Sequence, residues 1–119
     1  AHGARDPRWA APFEAVAERV RAARPSAAVR LAYLELMAPD LPSVIDELAA
    51  DGCRAIAIQP LFLGTGGHLR RDLPALVDAA RARHPGVAFT LHAAVGEQPA
   101  VIDAVAALAA SHLGEPGAP

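Results

Sequence analysis

Two histidines stand beside glycines at widely separated points of the chain: Ala1-His2-Gly3, and Gly66-Gly67-His68 within LFLGTGGHLRRDLP (residues 61–74). A neutral imidazole is a ready ligand for divalent metals, and two of them can hold one cation while leaving coordination positions open. Glycine removes side-chain bulk and permits positive φ, so a large flat ligand can approach the backbone. The spacing of His2 and His68 is not in itself a metal motif; it carries that chemistry only if the two loops meet in space. The alternative for each is a solvated or hydrogen-bonding loop histidine. Glu35, in YLELMAP, can accept protons or assist a metal, or can be a solvated charge at a strand end. Arg5, Arg70 and Arg71 flank the histidine turns and can pair with ligand carboxylates or remain solvated. Asp6 and Asp72 read as helix caps. His84 falls at a helix C-terminus, where a cation is favoured; His92 ends a strand on the side where ligands bind, and His112 lies near the chain end.

Other chemistries are poorly served. GTGGHLRRD has the glycines of an anion-binding turn but lacks the lysine and hydroxyl of GxxxxGK[ST], and no GxGxxG is present. Ser26, Ser43 and Ser111 sit in no nucleophile elbow. Cys53 is the single cysteine, which rules out an internal disulfide and a cysteine metal cluster and suits a reducing cytoplasm. The formal charge of -2 gives no global pull toward nucleic acid or membrane. No apolar run nears the roughly 18 residues that span a bilayer, and no secretory signal is visible. The 119 residues are 53% hydrophobic, enough for one domain with an aliphatic core.

The elements that would position these side chains alternate. Asp6-Pro7 opens a helix that runs to Arg24-Pro25, and residues 29–36 (VRLAYLEL) read as a strand. Asp40-Leu41-Pro42 starts a second helix, with Leu41, Val44, Ile45 and Leu48 on one face and Gly52 as its C-cap. Residues 54–63 (RAIAIQPLFL) are nearly continuously apolar, as expected of a central parallel strand. A third helix starts at Asp72-Leu73-Pro74 with Leu73, Val77 and Ala80 inward and ends at His84-Pro85-Gly86. Residues 87–92 (VAFTLH) form a last strand, and Val101, Ile102, Val105 and Leu108 a final helical stripe. DLPSVID (40–46) and DLPALVD (72–78) echo one another, through shared helix-start grammar or through duplication. The alternation predicts a parallel α/β sheet with right-handed crossovers. By the same logic a strand should precede His2, giving about four strands, the first lying before Ala1. The expected domain covers residues 1–113, with a flexible tail at 114–119.

HGARDP, YLELMAP and PLFLGTGGHLRRDLP, followed by HPGVAFTLHAAVGEQP, occur in an order that resembles the class II chelatases of the sirohydrochlorin cobaltochelatase and ferrochelatase type, in their short single-domain form. That resemblance implies a chelatase-like fold equivalent to half of the longer bilobal enzymes, working as a homodimer in the cytoplasm. It also implies insertion of a divalent metal into sirohydrochlorin, an octacarboxylate tetrapyrrole of cobalamin and siroheme synthesis. Cobalt, iron or nickel would be the substrate, with no tightly bound cofactor and no nucleic-acid or membrane partner. Carried over by motif, His2 and His68 become the metal-binding pair and Glu35 an assisting acid. With a flat tetrapyrrole over the glycine turns, Arg5, Gly66, Gly67, Arg70 and Phe62 are the substrate contacts the residues themselves suggest. Ala4 departs from the small hydroxyl residue usual in HGSRD, so any hydrogen bond from that position is lost. The competing readings are a non-catalytic metal or tetrapyrrole carrier of the same fold and a plain α/β interaction domain.

Overall fold

The computed structural model describes residues 1–64 and 66–114; the tail expected at 114–119 lies, apart from Gly114, outside them. Asp6 accepts a hydrogen bond from the Arg8 N–H and caps a short 3-10 turn, Pro7–Ala10, which leads into helix α1, Ala11–Ala23. Helix α2, Leu41–Ala50, starts where Asp40 accepts from the Ser43 N–H and buries Leu41, Val44 and Ile45. It closes in a Schellman turn: Gly52 at φ 95° and Cys53 return their N–H groups to Ala49 and Leu48. Strand β1, Ala55–Ile58, pairs in parallel with β2, Ala88–Leu91, in the register Ala55–Ala88 to Ile58–Leu91. Helix α3, Gly67–Arg83, crosses between them, and α4, Pro99–Ser111, follows the 3-10 turn Val95–Glu97.

The α/β architecture agrees with the expected alternation, with fewer and shorter strands. Among the described residues two strands form a ladder. Residues 54–63 keep strand geometry only over Ala55–Ile58, because Pro60 has no N–H to donate and the chain turns beyond it. The segment 29–36 is extended but forms no ladder; its sheet-like contacts are a bridge between Tyr33 and Asp40 and hydrogen bonds to Ala1 and His2. The reason is an open slot of about 510 Å³ between this segment and β1, which leaves it without a strand beside it.

The core lies on one face of the strands. Ile56 and Phe89 pack with Leu41 and Ile45 of α2, Leu73, Val77 and Ala80 of α3, Phe62 and Ala94. Burying aliphatic side chains of this size stabilises the fold by about 1.5–3 kcal/mol each. The opposite face leaves Ala55, Ala57, Ala88 and Thr90 exposed. The apolar stripe expected on α4 is likewise uncovered, with Ile102, Val105 and Leu108 all exposed.

Helix α3 begins five residues earlier than Asp72 suggested. Gly66 occupies its N-cap without a side-chain hydrogen bond, and Pro74 falls inside the helix. His68, Leu69, Arg70 and Arg71 can all continue a helix, and half-buried Leu69 packs against the core. Proline's fixed φ suits the helical backbone and removes only the bond its N–H would make to the Arg70 carbonyl.

Candidate functional site

His2 is seated. Its carbonyl accepts from the N–H groups of Leu34 (3.0 Å) and Glu35 (2.9 Å), and its ring packs on Phe62 with centroids 4.3 Å apart. Gly3 fixes this turn: at φ 109°, a Cβ there would sit 1.6 Å from the Glu35 carbonyl oxygen. Only glycine permits that approach, so His2 and Glu35 are joined through their backbones. The Glu35 side chain is exposed.

His68 is presented differently. It lies in the first turn of α3, with 84% of its side chain exposed, and its Nε2 stands 2.8 Å from Asp72 Oδ2. Gly66 and Gly67 beside it have no atom within 4 Å of where a Cβ would be, so the surface there is open. The two imidazoles make no ring contact with each other. His2 rests on Phe62 and His68 follows that phenylalanine by six residues, so both turns border the segment that leaves the carboxyl end of β1. In open α/β sheets ligands bind at the carboxyl ends of strands.

The remaining candidates divide. Arg70 reaches Glu97 at 3.8 Å, which ties α3 to the turn after β2, while Arg71 donates back to the Gly67 carbonyl at 3.3 Å. Arg5 is exposed near His2. Phe62, read as a substrate contact, is buried at 4% exposure, because its ring fills the core beneath His2; the apolar surface on offer is Leu63, exposed at 72%. His92 lines a small cleft of about 130 Å³ with Arg70, Leu73 and Glu97, on the same carboxyl side of the sheet. His84 belongs to the scaffold: its Nε2 is 2.7 Å from Asp46 Oδ1, linking α3 to α2, and with Arg83 it holds the Asp46 carboxyl below the usual range.

Three contributors were not singled out from sequence. Asp72, read as a cap, is the partner of His68; the i,i+4 spacing was visible, but the expected helix began too late to use it. Glu97 partners Arg70 across a distance no local pattern reveals. Gly96 presses on the Leu63 carbonyl, where a Cβ would come within 1.6 Å, and so fixes the far side of the 60–63 segment. Among the described residues no three or more His, Cys, Asp or Glu side chains form a metal cage.

Similarity to known proteins follows the same motifs. A sirohydrochlorin cobaltochelatase of Methanococcus aeolicus is 32% identical over 76 residues, 64% of this chain and 53% of that protein. The chain thus spans about half the length of such curated relatives. A crystal structure of a cobalamin (vitamin B12) biosynthesis CbiX protein from Marinobacter aquaeolei VT8 superimposes with a TM-score of 0.79 at 32% identity, covering 93% of this chain and 90% of that one. The sirohydrochlorin chelatase SirB of Bacillus subtilis subspecies spizizenii, in complex with cobalt, gives 0.72 at 27% identity, covering 92% of this chain and 47% of the larger one. The model of the CbiX family matches residues 1–111, and the chain belongs to that family.

Proposed function

We propose that the protein inserts a divalent cation, cobalt in the first instance, into sirohydrochlorin. The observation that carries this reading is the pair of glycine-flanked histidines bordering the segment beyond β1, one anchored on Phe62 and one open to solvent. The names of the relatives support the choice of substrate and metal.

In this reading the hydrated cation exchanges waters for nitrogens of His2 and His68, and Glu35 assists from beside His2. The tetrapyrrole lies over the open surface at Gly66 and Gly67, with Leu63 against its apolar face. Arg5 and Arg70 meet its peripheral carboxylates as charge-assisted pairs. Two pyrrole protons leave as the dication enters the ring, so charge is conserved. An imidazole nitrogen with a free lone pair can accept one of them as a general base. A single domain of this size presents an open surface rather than an enclosed cleft, and a second copy facing it would complete the walls.

Mixing the protein with Co2+ and sirohydrochlorin and following the absorption change tests the reading. Many turnovers per protein are expected, and a change that stops at one equivalent would make it a carrier. His68→Ala and His2→Ala should each lower the rate by about 100-fold or more, with helical circular dichroism intact after His68→Ala. Full activity of a folded His68→Ala protein removes the histidine pair from the mechanism. Fe2+ and Ni2+ in the same assay rank the metals.

A further inference from the structure

Leu36 stands at φ 64°, the one non-glycine residue with positive φ among the described residues. In that region a leucine brings its Cβ against a backbone carbonyl, so glycine or asparagine is the usual occupant. The Met37 N–H donates to the Glu35 carbonyl at 2.8 Å, which closes a γ-turn with Leu36 at its apex. Three contacts hold this turn. The Glu35 N–H donates to the His2 carbonyl, Gly3 presses on the Glu35 carbonyl oxygen, and the Tyr33 N–H donates to the Pro39 carbonyl at 2.9 Å, drawing the ends of the loop together. The strained backbone does not serve the core, because the Leu36 side chain is 61% exposed. Strain of this kind persists where the surroundings over-determine it, and it gathers at ligand clamps. Leu63 is its counterpart. It is 72% exposed, and Gly96 fixes it by pressing on its carbonyl oxygen and by donating to that of Phe62 at 3.0 Å. Each leucine directly follows a residue that touches His2: Glu35 meets its backbone and Phe62 its ring.

We propose that Leu36 is a substrate contact: the γ-turn holds its side chain outward so that, with Leu63, it forms a two-point apolar ledge beside His2 on which the face of the tetrapyrrole rests. The ledge presupposes the sirohydrochlorin site proposed above and sets where the ring lies on it. A flat ring with carboxylates at its rim takes apolar support under its face and cations at its edge. The leucines give that support next to the imidazole. Because both backbones are already locked, little freedom is lost when the ring arrives. A leucine at positive φ exchanges some stability for this contact. Glycine at position 36 would relax the backbone and leave the ring unsupported, so one substitution separates folding from binding, which a packing residue does not allow.

The test titrates metal-free sirohydrochlorin into the wild-type chain and into Leu36→Gly, Leu36→Asn and Leu36→Met, reading the ring's own fluorescence, with a urea melt of each protein. Leu36→Gly should hold or raise the urea midpoint, because glycine takes positive φ freely. It should weaken ring binding by about 10-fold, as the loss of an apolar contact does. Leu36→Asn keeps a residue tolerant of that backbone and should weaken binding alike, whereas Leu36→Met should retain most of it. The affinity for Co2+ alone should be the same in all four. Equal ring affinity in wild type, Leu36→Gly and Leu36→Asn overturns the proposal. So does a fall in the urea midpoint of Leu36→Gly, which would make Leu36 a structural residue. Loss of a wild-type dimer in Leu36→Gly, seen by sedimentation, with ring affinity regained at high protein concentration, also overturns it and assigns the leucine to a contact between copies. A wild-type chain that binds the ring without inserting metal defeats the chelatase reading alone; one that binds no ring defeats both.

Discussion

The heptads DLPSVID and DLPALVD share four of seven letters, and the fold uses them alike on one side and differently on the other. Their apolar positions do the same work: Leu41 and Ile45 from the first, Leu73 and Val77 from the second, meet in one core. Their leading aspartates part company. Asp40 caps α2 by accepting from the Ser43 N–H at 2.8 Å, whereas Asp72 sits inside α3 and faces His68. The difference arises upstream. Ala38-Pro39 gives Asp40 an extended lead-in, while Gly66-Gly67-His68 lets α3 start early and releases Asp72 from capping. Periodicity fixes what goes inward; polar groups take the partner their neighbourhood offers.

The inward half of this comparison breaks most visibly under truncation. Ile45→Ala should cost about 2–4 kcal/mol and Val77→Ala about 1–3, both read from urea melts, since each residue is essentially fully buried. A much smaller loss at either would mean that the two heptads do not share one core. The polar half is sharpened by the aspartates. Asp40→Ala should cost about 1 kcal/mol, the worth of an N-cap, and Asp72→Ala only a few tenths, as an exposed pair does. The order reverses in the insertion assay, where Asp72→Ala should alter the rate and Asp40→Ala should not. Equal stability losses would show that Asp72 caps after all.

The smallest expected effect is in pH. Hydrogen bonds from the Ser43 side chain and backbone hold the Asp40 carboxyl below its ordinary value. A depressed carboxylate lends stability above its unfolded pKa, near 3.9, and loses it as pH falls through the folded one. Stability should therefore fall on acidification below about pH 4, less steeply in Asp40→Asn; an unchanged slope would separate the cap from the acid response.

Much of this was readable from the residues. The alternation, the caps at Asp6 and Asp40, the Gly52 turn and the inward faces of α2 and α3 all follow from local periodicity and turn chemistry. Strand extent did not, because a ladder depends on its neighbour, and residues 29–36 have an open slot where a neighbour would lie. The stripe on α4 was legible as a stripe but not as an uncovered one, since periodicity says which face is apolar and not what meets it. At the candidate site the histidine turns stood out by their glycines. The Arg70–Glu97 tie and the press of Gly96 on Leu63 depend on contacts between segments far apart in sequence.

Pro74 leaves a seam in α3. The helix below it is pinned by Val77 and Ala80, while the turns above it carry His68, Arg70 and Arg71 and lack the hydrogen bond that proline cannot supply. Loosening is therefore easier in those turns than beyond Pro74, and it is limited by Leu69 and Leu73, which tie them to the core.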